Sequence, residues 1–101
     1  MTTFNAHQQP TVSIILPAKN EGRALATLLP NLKRLHPDAE IIVVDDGSDD
    51  DTQELCRQNS VIHIHHPYSK GNGAAIKSGA LAASGEYLVM LDADGQHPPA
   101  A

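Results

Sequence analysis

The sequence predicts an α/β protein built on a parallel sheet with flanking helices. Three observations carry this prediction. Short runs rich in β-branched residues alternate with helical segments, the linkers between them are short, and the second run is apolar throughout, as in a strand covered on both faces. Ligands of such sheets bind beyond the carboxyl ends of the strands. Polar residues at those ends are therefore the candidates for function.

The strands and helices follow from residue spacing. Four strands are predicted, at residues 12–16, 41–44, 61–65 and 87–91. Leucines at helical spacing from Leu25 onward predict the first helix, and Pro30 within it predicts a kink or a restart. The second helix is expected to take Ser48 as its N-cap and to run to about Gln58. A third helix, rich in small residues, is predicted over residues 74–83.

Composition excludes several classes of protein. The chain has 101 residues, 41% hydrophobic and 19% charged, which fits one small domain with a core. A formal charge of −5 and few aromatic residues argue against binding of nucleic acid. The single cysteine, Cys56, excludes an intrachain disulfide and is predicted to pack in the core. No apolar run reaches the ~20 residues of a membrane span, so we expect a soluble or at most peripheral chain, and the lone cysteine fits a reducing, cytoplasmic compartment.

The ends of the chain carry expectations of their own. Residues 1–10 are polar and lack the basic start and apolar centre of a signal peptide, so we expect a disordered tail there. Residues 11–101 are then the folded part. The sequence ends a few residues after the acidic stretch that begins at Asp92, which is its richest in candidate functional side chains. This predicts a fragment of a longer domain.

The acidic stretch after the last strand is a candidate metal site. In an extended segment, Asp92, Asp94 and Gln96 present their side chains on one side. Mg²⁺ and Mn²⁺ prefer carboxylate and carbonyl oxygens. Asp and Gly are also common in surface turns, so a turn stands as the alternative interpretation.

Two further clusters lie at strand ends or helix starts. Asp45 and Asp46 follow the second strand, where acids can bond a nucleotide's ribose hydroxyls or base N–H groups; a polar turn is the alternative. Residues 70–73 open the third helix and offer a lysine and backbone amides to a diphosphate. For this second cluster, the pattern favours a simple glycine turn at a helix start.

Three histidines lie near the end of the third strand. Alternation places His63 and His65 on one side of the strand, with His66 next to them. A structural zinc site would need a further cysteine or histidine at suitable spacing, and the sequence offers none. We therefore expect solvated histidines at the strand end.

Four segments, taken in order and spacing, resemble the N-terminal half of a family 2 glycosyltransferase. They are residues 12–21, 41–52, 70–74 and 92–99. The last segment is most similar to the branch that contains dolichyl-phosphate mannosyltransferases and bacterial polyprenyl-phosphate glycosyltransferases. The resemblance covers about residues 11–99. It implies a Rossmann-like, nucleotide-sugar-binding GT-A fold, of which this chain is the donor-binding part.

The resemblance also implies roles for single residues. The implied nucleotide-sugar-binding residues are Pro17, Asn20, Glu21, Asp46, Lys70 and Asp92. The implied ligands of a divalent metal, Mg²⁺ or Mn²⁺, are Asp92, Asp94 and Gln96, the first two forming a D-x-D motif. Ala18 and Lys19 depart from the family pattern, in which an aromatic residue often precedes Asn-Glu.

The implied function is metal-dependent, inverting transfer of a sugar from a GDP- or UDP-sugar to a polyprenyl or dolichyl phosphate. The catalytic base is expected beyond Ala101, so the chain alone should bind donor with little or no transfer. A lipid acceptor implies a place at the cytosolic face of a membrane. An uncovered last strand predicts a homo-oligomer through its edge.

Two other functions compete with this one. The first is a non-catalytic nucleotide-binding or interaction module made from the same half domain. The second is a phosphatase with an aspartate nucleophile at Asp92. The phosphatase is disfavoured because that family carries its D-x-D after the first strand, whereas here it follows the fourth.

Overall fold

The computed structural model describes residues 10–48 and 51–92. These residues form strands and helices in the alternating order that the sequence predicts. The elements are β1 (Val12–Ala18), α1 (Gly22–Leu35), β2 (Glu40–Asp46), α2 (Thr52–Gln58), β3 (Ile62–His66), α3 (Asn72–Ala82) and β4 (Tyr87–Met90).

The four described strands form one parallel sheet in the order β3-β2-β1-β4. The register is regular: Ile15 lies between Ile42 of β2 and Met90 of β4. From β1 the chain proceeds outward to β2 and β3, then returns to place β4 on the other side of β1. The order therefore reverses between β1 and β4, and in open α/β sheets this switch point is where ligands bind. The predicted parallel sheet is confirmed.

Helices cover both faces of the sheet. On one face, here called the α1/α2 face, Leu25, Leu29 and Leu32 pack with Cys56 against alternate residues of β1 and β2. On the opposite α3 face, Ala75 packs against the other alternate set, which comprises Ile15, Ile42 and Val44. Because side chains alternate along a strand, the apolar run of β2 supplies both cores. Cys56 is fully buried in the first core, as predicted.

Helix α1 continues through Pro30, so the predicted restart at that residue is wrong. The apolar stripe of α1 points into the sheet, whereas Pro30 is exposed. Proline removes one N–H from the helix and leaves the carbonyl of Ala26 without its usual donor. Ala26 is also exposed, so water can satisfy that carbonyl and the helix is not forced to end.

The prediction that Ser48 caps α2 is also wrong. The helix begins at Thr52, after Asp51 in the cap position. The Ser48 hydroxyl instead accepts a hydrogen bond from the backbone N–H of Asn20 at 2.8 Å. This bond joins the loop after β2 to the loop after β1 at the carboxyl edge of the sheet.

Within residues 10–48 and 51–92, no helix combines the length and the hydrophobicity that crossing a bilayer requires.

Candidate functional site

An open cleft of about 330 Å³ lies beyond the carboxyl ends of the central strands. The loop after β1, the end of β2, the start of α3 and the residue that follows Leu91 all contribute to it. The lining residues are Pro17, Ala18, Lys19, Glu21, Asp46, Ser69, Gly71, Asn72, Ala75 and Asp92. The cleft therefore occupies the switch point of the sheet, where the topology places a ligand.

Asp46 is the most constrained polar residue of the cleft. One carboxylate oxygen, Oδ1, accepts the backbone N–H of Lys70 at 2.8 Å and contacts His66 Nδ1 at 2.8 Å. The other, Oδ2, accepts the Ser69 hydroxyl at 3.0 Å and the backbone N–H of Gly71 at 2.9 Å. His66 is itself buried, and its Nε2 lies 2.9 Å from the Ser78 hydroxyl on α3. These bonds hold the loop between β3 and α3 against the end of β2.

This network controls the charge of Asp46. Burial by itself raises the pKa of the carboxyl group, but the hydrogen bonds from Lys70, His66, Gly71 and Ser69 favour the ionised form more strongly. The pKa of Asp46 therefore lies far below its ordinary value of 3.8. The carboxylate remains charged at any physiological pH.

The glycine-containing loop before α3 forms a turn, as the pattern favours. Gly71 adopts a φ of 100°, a conformation that glycine reaches without strain. The amides of Lys70 and Gly71, which were candidates for a diphosphate, donate to Asp46 instead. The loop contributes to the cleft through Ser69, Gly71 and Asn72.

The structure brings four of the predicted nucleotide-sugar-binding residues to this one cleft. They are Pro17, Glu21, Asp46 and Asp92. Asn20 and Lys70 are not among the lining residues. Asn20 has a φ of 54° and donates its backbone N–H to Ser48, and the Lys70 ammonium lies 5.4 Å from the ring centre of Tyr68. The predicted metal ligands Asp94 and Gln96 lie outside the described residues.

The charge of the cleft favours a cation. Among the described lining residues, the carboxylates of Glu21, Asp46 and Asp92 face a single ammonium group, that of Lys19. A diphosphate entering these surroundings would be repelled unless a positive ion came with it. Asp92 is exposed, so its oxygens are accessible from solvent. Carboxylate oxygens are the ligands that hard divalent cations prefer.

A second polar cluster forms on the α1/α2 face, around Asp45. Its Oδ2 lies 3.0 Å from His63 Nε2 and 3.1 Å from His65 Nδ1, while Oδ1 accepts the backbone N–H of Ser48 at 2.7 Å. Burial raises the pKa of Asp45, but the bonds from Ser48, His63 and His65 outweigh it, so the pKa lies below the ordinary value. The side chains of Asp45, His63 and His65 form a group that could hold a metal ion.

The prediction of solvated histidines is therefore wrong for two of the three. The side chain of His63 is only 15% exposed and that of His66 is 7% exposed, whereas His65 is 49% exposed. Each ring is held by a carboxylate at the end of β2, the neighbouring strand. The alternation of His63 and His65 along the sequence indicated that they share a face. That Asp45 contacts both of them follows only from the pairing of β2 with β3.

Ser69 lines the cleft although the sequence did not single it out. Lys19 and Asn72, which also line the cleft, belong to polar clusters that the sequence indicated, the first after β1 and the second at the start of α3. A signal for Ser69 was present, since it precedes Lys70 and Gly71 at a helix start.

Comparison with known proteins identifies the family. The model of "Glycosyl transferase family 2" matches residues 13–101. A dolichyl-phosphate beta-glucosyltransferase of Trichomonas vaginalis is 37% identical over 101 residues, which cover 86% of this chain and 31% of the relative. An undecaprenyl-phosphate 4-deoxy-4-formamido-L-arabinose transferase of Proteus mirabilis is 35% identical over 109 residues, which cover 98% of this chain and 33% of the relative. The chain thus spans about a third of these relatives.

Solved structures agree with this assignment. A mannosyltransferase from Pyrobaculum calidifontis in complex with GDP-Man and Mn²⁺ superposes with a TM-score of 0.76 at 26% identity, covering 87% of this chain and 28% of that one. Glucosyl-3-phosphoglycerate synthase from Mycobacterium tuberculosis, with Mn²⁺ and UDP, superposes with a TM-score of 0.72 at 28% identity. The match covers 83% of this chain and 33% of that one. These neighbours have the GT-A fold, which confirms the predicted fold class. The chain belongs to glycosyl transferase family 2.

Proposed function

We propose that this chain is the donor-binding part of a metal-dependent, inverting glycosyltransferase that takes its sugar from a nucleoside-diphosphate sugar. One observation carries the proposal: a predominantly acidic cleft lies at the switch point of the sheet, with Asp92 in its wall. The similarity to structures that contain GDP-Man or UDP together with Mn²⁺ supports it.

The residues proposed to hold the metal, Mg²⁺ or Mn²⁺, are Asp92, Asp94 and Gln96. When bound, the ion neutralises the negative charge that develops on the departing nucleoside diphosphate. Asp92 follows the strand that borders the switch point, so a diphosphate at the metal would lie in the described cleft.

The remaining residues of the cleft are proposed to bind and orient the nucleoside. Pro17 and Glu21 form the wall from β1, while Asn20 positions that loop through its bond to Ser48. The ionised Asp46 lies at the base and is proposed to contact the base or ribose; because its two oxygens already have four partners, such a contact shares or replaces one of them. Lys70 contributes mainly through its backbone, which keeps Asp46 in place.

The proposed acceptor is a polyprenyl or dolichyl phosphate, because the relatives named above are dolichyl- and undecaprenyl-phosphate enzymes. A phosphate monoester has a second pKa of about 6 and is largely ionised near neutral pH. It can therefore attack the sugar from the face opposite the diphosphate without a strong base. Because the relatives are about three times as long as this chain, we propose that residues 11–101 bind donor and that further residues complete the acceptor site.

The alternative is a non-catalytic nucleotide-binding module. The two functions share the cleft and differ in turnover: transfer of a radiolabelled sugar to polyprenyl phosphate supports the enzyme. Mn²⁺-dependent nucleotide binding without transfer, in protein of the relatives' length, supports the module.

The first experiment measures donor binding by calorimetry. We expect GDP- or UDP-sugar to bind only with Mn²⁺ present, and we expect Asp92→Asn and Asp94→Asn each to abolish that binding while circular dichroism stays unchanged. Asp38→Asn is the matched control, because Asp38 is exposed in the turn before β2, at the opposite end of the sheet. Unchanged affinity in both cleft variants would contradict the assignment of the site.

A further inference from the structure

We infer that Asp45, His63 and His65 form a second metal site, selective for Zn²⁺ over Mg²⁺ and separate from the donor cleft. The ligand atoms of the three residues all lie within 4.8 Å of one another. Two imidazole nitrogens and one carboxylate oxygen are a donor set that suits zinc, whereas Mg²⁺ prefers oxygen alone. With three protein ligands, a water molecule completes the tetrahedron.

The sheet itself arranges these ligands. In the parallel register, Asp45 lies opposite His65, and Val43 lies opposite His63. Alternate side chains of one strand share a face, so His63 and His65 flank the same carboxylate. The site is therefore built on two hydrogen-bonded strands, and binding of the ion would require little reorganisation of the backbone.

The distances are close to those of a zinc site. Asp45 Oδ2 lies 3.0 Å from His63 Nε2 and 3.1 Å from His65 Nδ1. Ligand bonds of 2.0–2.1 Å in a tetrahedron place neighbouring ligand atoms roughly 3.3 Å apart, so each of these two separations must grow by only about 0.3 Å. The ligand nitrogens of His63 and His65 lie within 4.8 Å of each other and would have to come closer if they stand further apart than roughly 3.3 Å. The backbone N–H of Ser48, bonded to Oδ1 at 2.7 Å, orients the carboxylate as an outer partner of a metal ligand does.

An ion can reach the site from solvent. The side chain of His65 is 49% exposed. A cleft of about 410 Å³ opens beside His63 and is bordered by Asp51, Glu54 and Arg57. Glu54 is ion-paired with Arg57, so the carboxylate of Asp51 is the charge that favours the approach of a cation, and the open space accommodates the water ligand.

The site is distinct from the donor cleft. Asp45 shares its side of β2 with Val43, which packs in the α1/α2 core, whereas Asp46 shares the α3 side with Val44. The zinc ligands therefore lie on one face of the sheet, and Asp46 and its partners lie on the other. Zinc binding would fasten β2 to β3 and would fix the Ser48 loop.

The test titrates Zn²⁺ into metal-free protein in the presence of excess Mg²⁺, which competes for all-oxygen sites. We expect one zinc per chain, a raised midpoint of thermal unfolding and, with Co²⁺, the visible absorption of a tetrahedral site. His65→Gln should weaken zinc binding at least about tenfold, since it removes a ligand. His36→Gln, which changes an exposed histidine at the end of α1, should leave the affinity unchanged.

Because the side chain of His65 is half exposed, we expect its substitution to leave the fold intact, and circular dichroism checks that the variant is folded. Asp92→Asn should retain full zinc affinity while losing donor binding, so this inference and the proposed function can fail independently. Equal zinc affinity in His65→Gln and the parent protein, or no zinc binding by folded parent protein, would overturn the inference.

Discussion

Asp45 and Asp46 end β2 side by side, and their carboxylates point to opposite faces of the sheet. Both have partners far along the chain: Asp45 contacts His63 and His65 besides the nearby Ser48, and the partners of Asp46 lie 20 to 25 residues further on. The sequence indicated that Asp46 matters, but its donors could not be predicted, because they depend on where β3 and α3 return to the sheet. The burial of His66 has the same cause.

At Asp46, the charge itself stabilises the fold. Asp46→Asn replaces one accepting oxygen with an N–H₂ group that faces other donors, so at least one buried donor loses its partner. We expect the free energy of unfolding to fall by about 1–3 kcal/mol, measured by urea denaturation at neutral pH. Asp38→Asn should change it by less than about 0.5 kcal/mol. Equal stability of both variants would contradict the role given to the Asp46 network.

Acid should weaken the chain through the same group. The pKa of Asp46 is lower in the folded chain than its ordinary value of 3.8, so the folded state holds the proton less tightly than the unfolded state. The stabilisation is therefore fully present above about pH 4 and is lost as the pH falls from there toward the lowered pKa. Denaturation curves between neutral pH and acid should show this loss, and it should be smaller in Asp46→Asn. An identical acid dependence in the two proteins would exclude the mechanism.

Among the elements, the strands were predicted to within two residues at either end, because each is a short run of β-branched or apolar residues. The start of α2 was missed for an identifiable reason. Ser48 has the residue type of an N-cap, but its hydroxyl accepts a bond from Asn20, 28 residues earlier. Capping preferences describe only bonds to neighbouring backbone groups, whereas here the Ser48 hydroxyl bonds to a residue of another loop.

Helix α3 approaches the sheet at a glycine. A Cβ atom added at Gly79 would lie 2.5 Å from Ile15 Cγ2 and 3.2 Å from Val44 Cγ2. The better helix propensity of alanine offsets only part of the resulting overpacking, so Gly79→Ala should lower the free energy of unfolding by about 1–2 kcal/mol.

Gly73→Ala is the matched control for this helix. Gly73 lies in the same helix, and a Cβ atom added there would meet nothing within 4 Å, so the substitution should raise the free energy of unfolding by up to about 1 kcal/mol. Thermal or urea unfolding of the pair measures the difference. A stabilising effect of Gly79→Ala equal to that of Gly73→Ala would show that α3 is not held closely against β1 and β2.

For the molecule as a whole, the convergence of polar loops at one edge was predictable from strand direction alone. The strand order was not, since nothing in the sequence states that β4 returns to the far side of β1. That order puts Asp92 beside the loop after β1 and so defines the cleft. The similarity to family members carries the rest of the functional assignment.

The strand β4 leaves a large apolar surface exposed. Tyr87, Leu88, Val89 and Met90 are 40–65% exposed, and among the described strands only β1 pairs with β4. Apolar residues on both faces are typical of a strand inside a parallel sheet. The relatives are about three times as long as this chain, so they contain additional residues that can cover this edge.

We expect the 101-residue chain, studied by itself, to associate with a second copy through this edge. Val89→Lys should shift it toward the monomer in sedimentation velocity, because a charge on the edge strand opposes pairing. Leu81→Lys, which changes an exposed leucine on α3, should leave the association unchanged. A parent chain that stays monomeric at every concentration would contradict this expectation.

A metal and a nucleoside diphosphate are proposed to bind together in the cleft beside Asp92. Paramagnetic Mn²⁺, added with GDP or UDP to ¹⁵N-labelled protein, broadens the amide signals nearest to it and so reports the position of the ion. We predict the strongest broadening at Asp92 and its neighbours and at the cleft residues Lys19, Glu21 and Asn72, dependent on the nucleotide and absent in Asp92→Asn. Broadening centred on His63 and His65 with none at Asp92, or no dependence on nucleotide, would contradict the account.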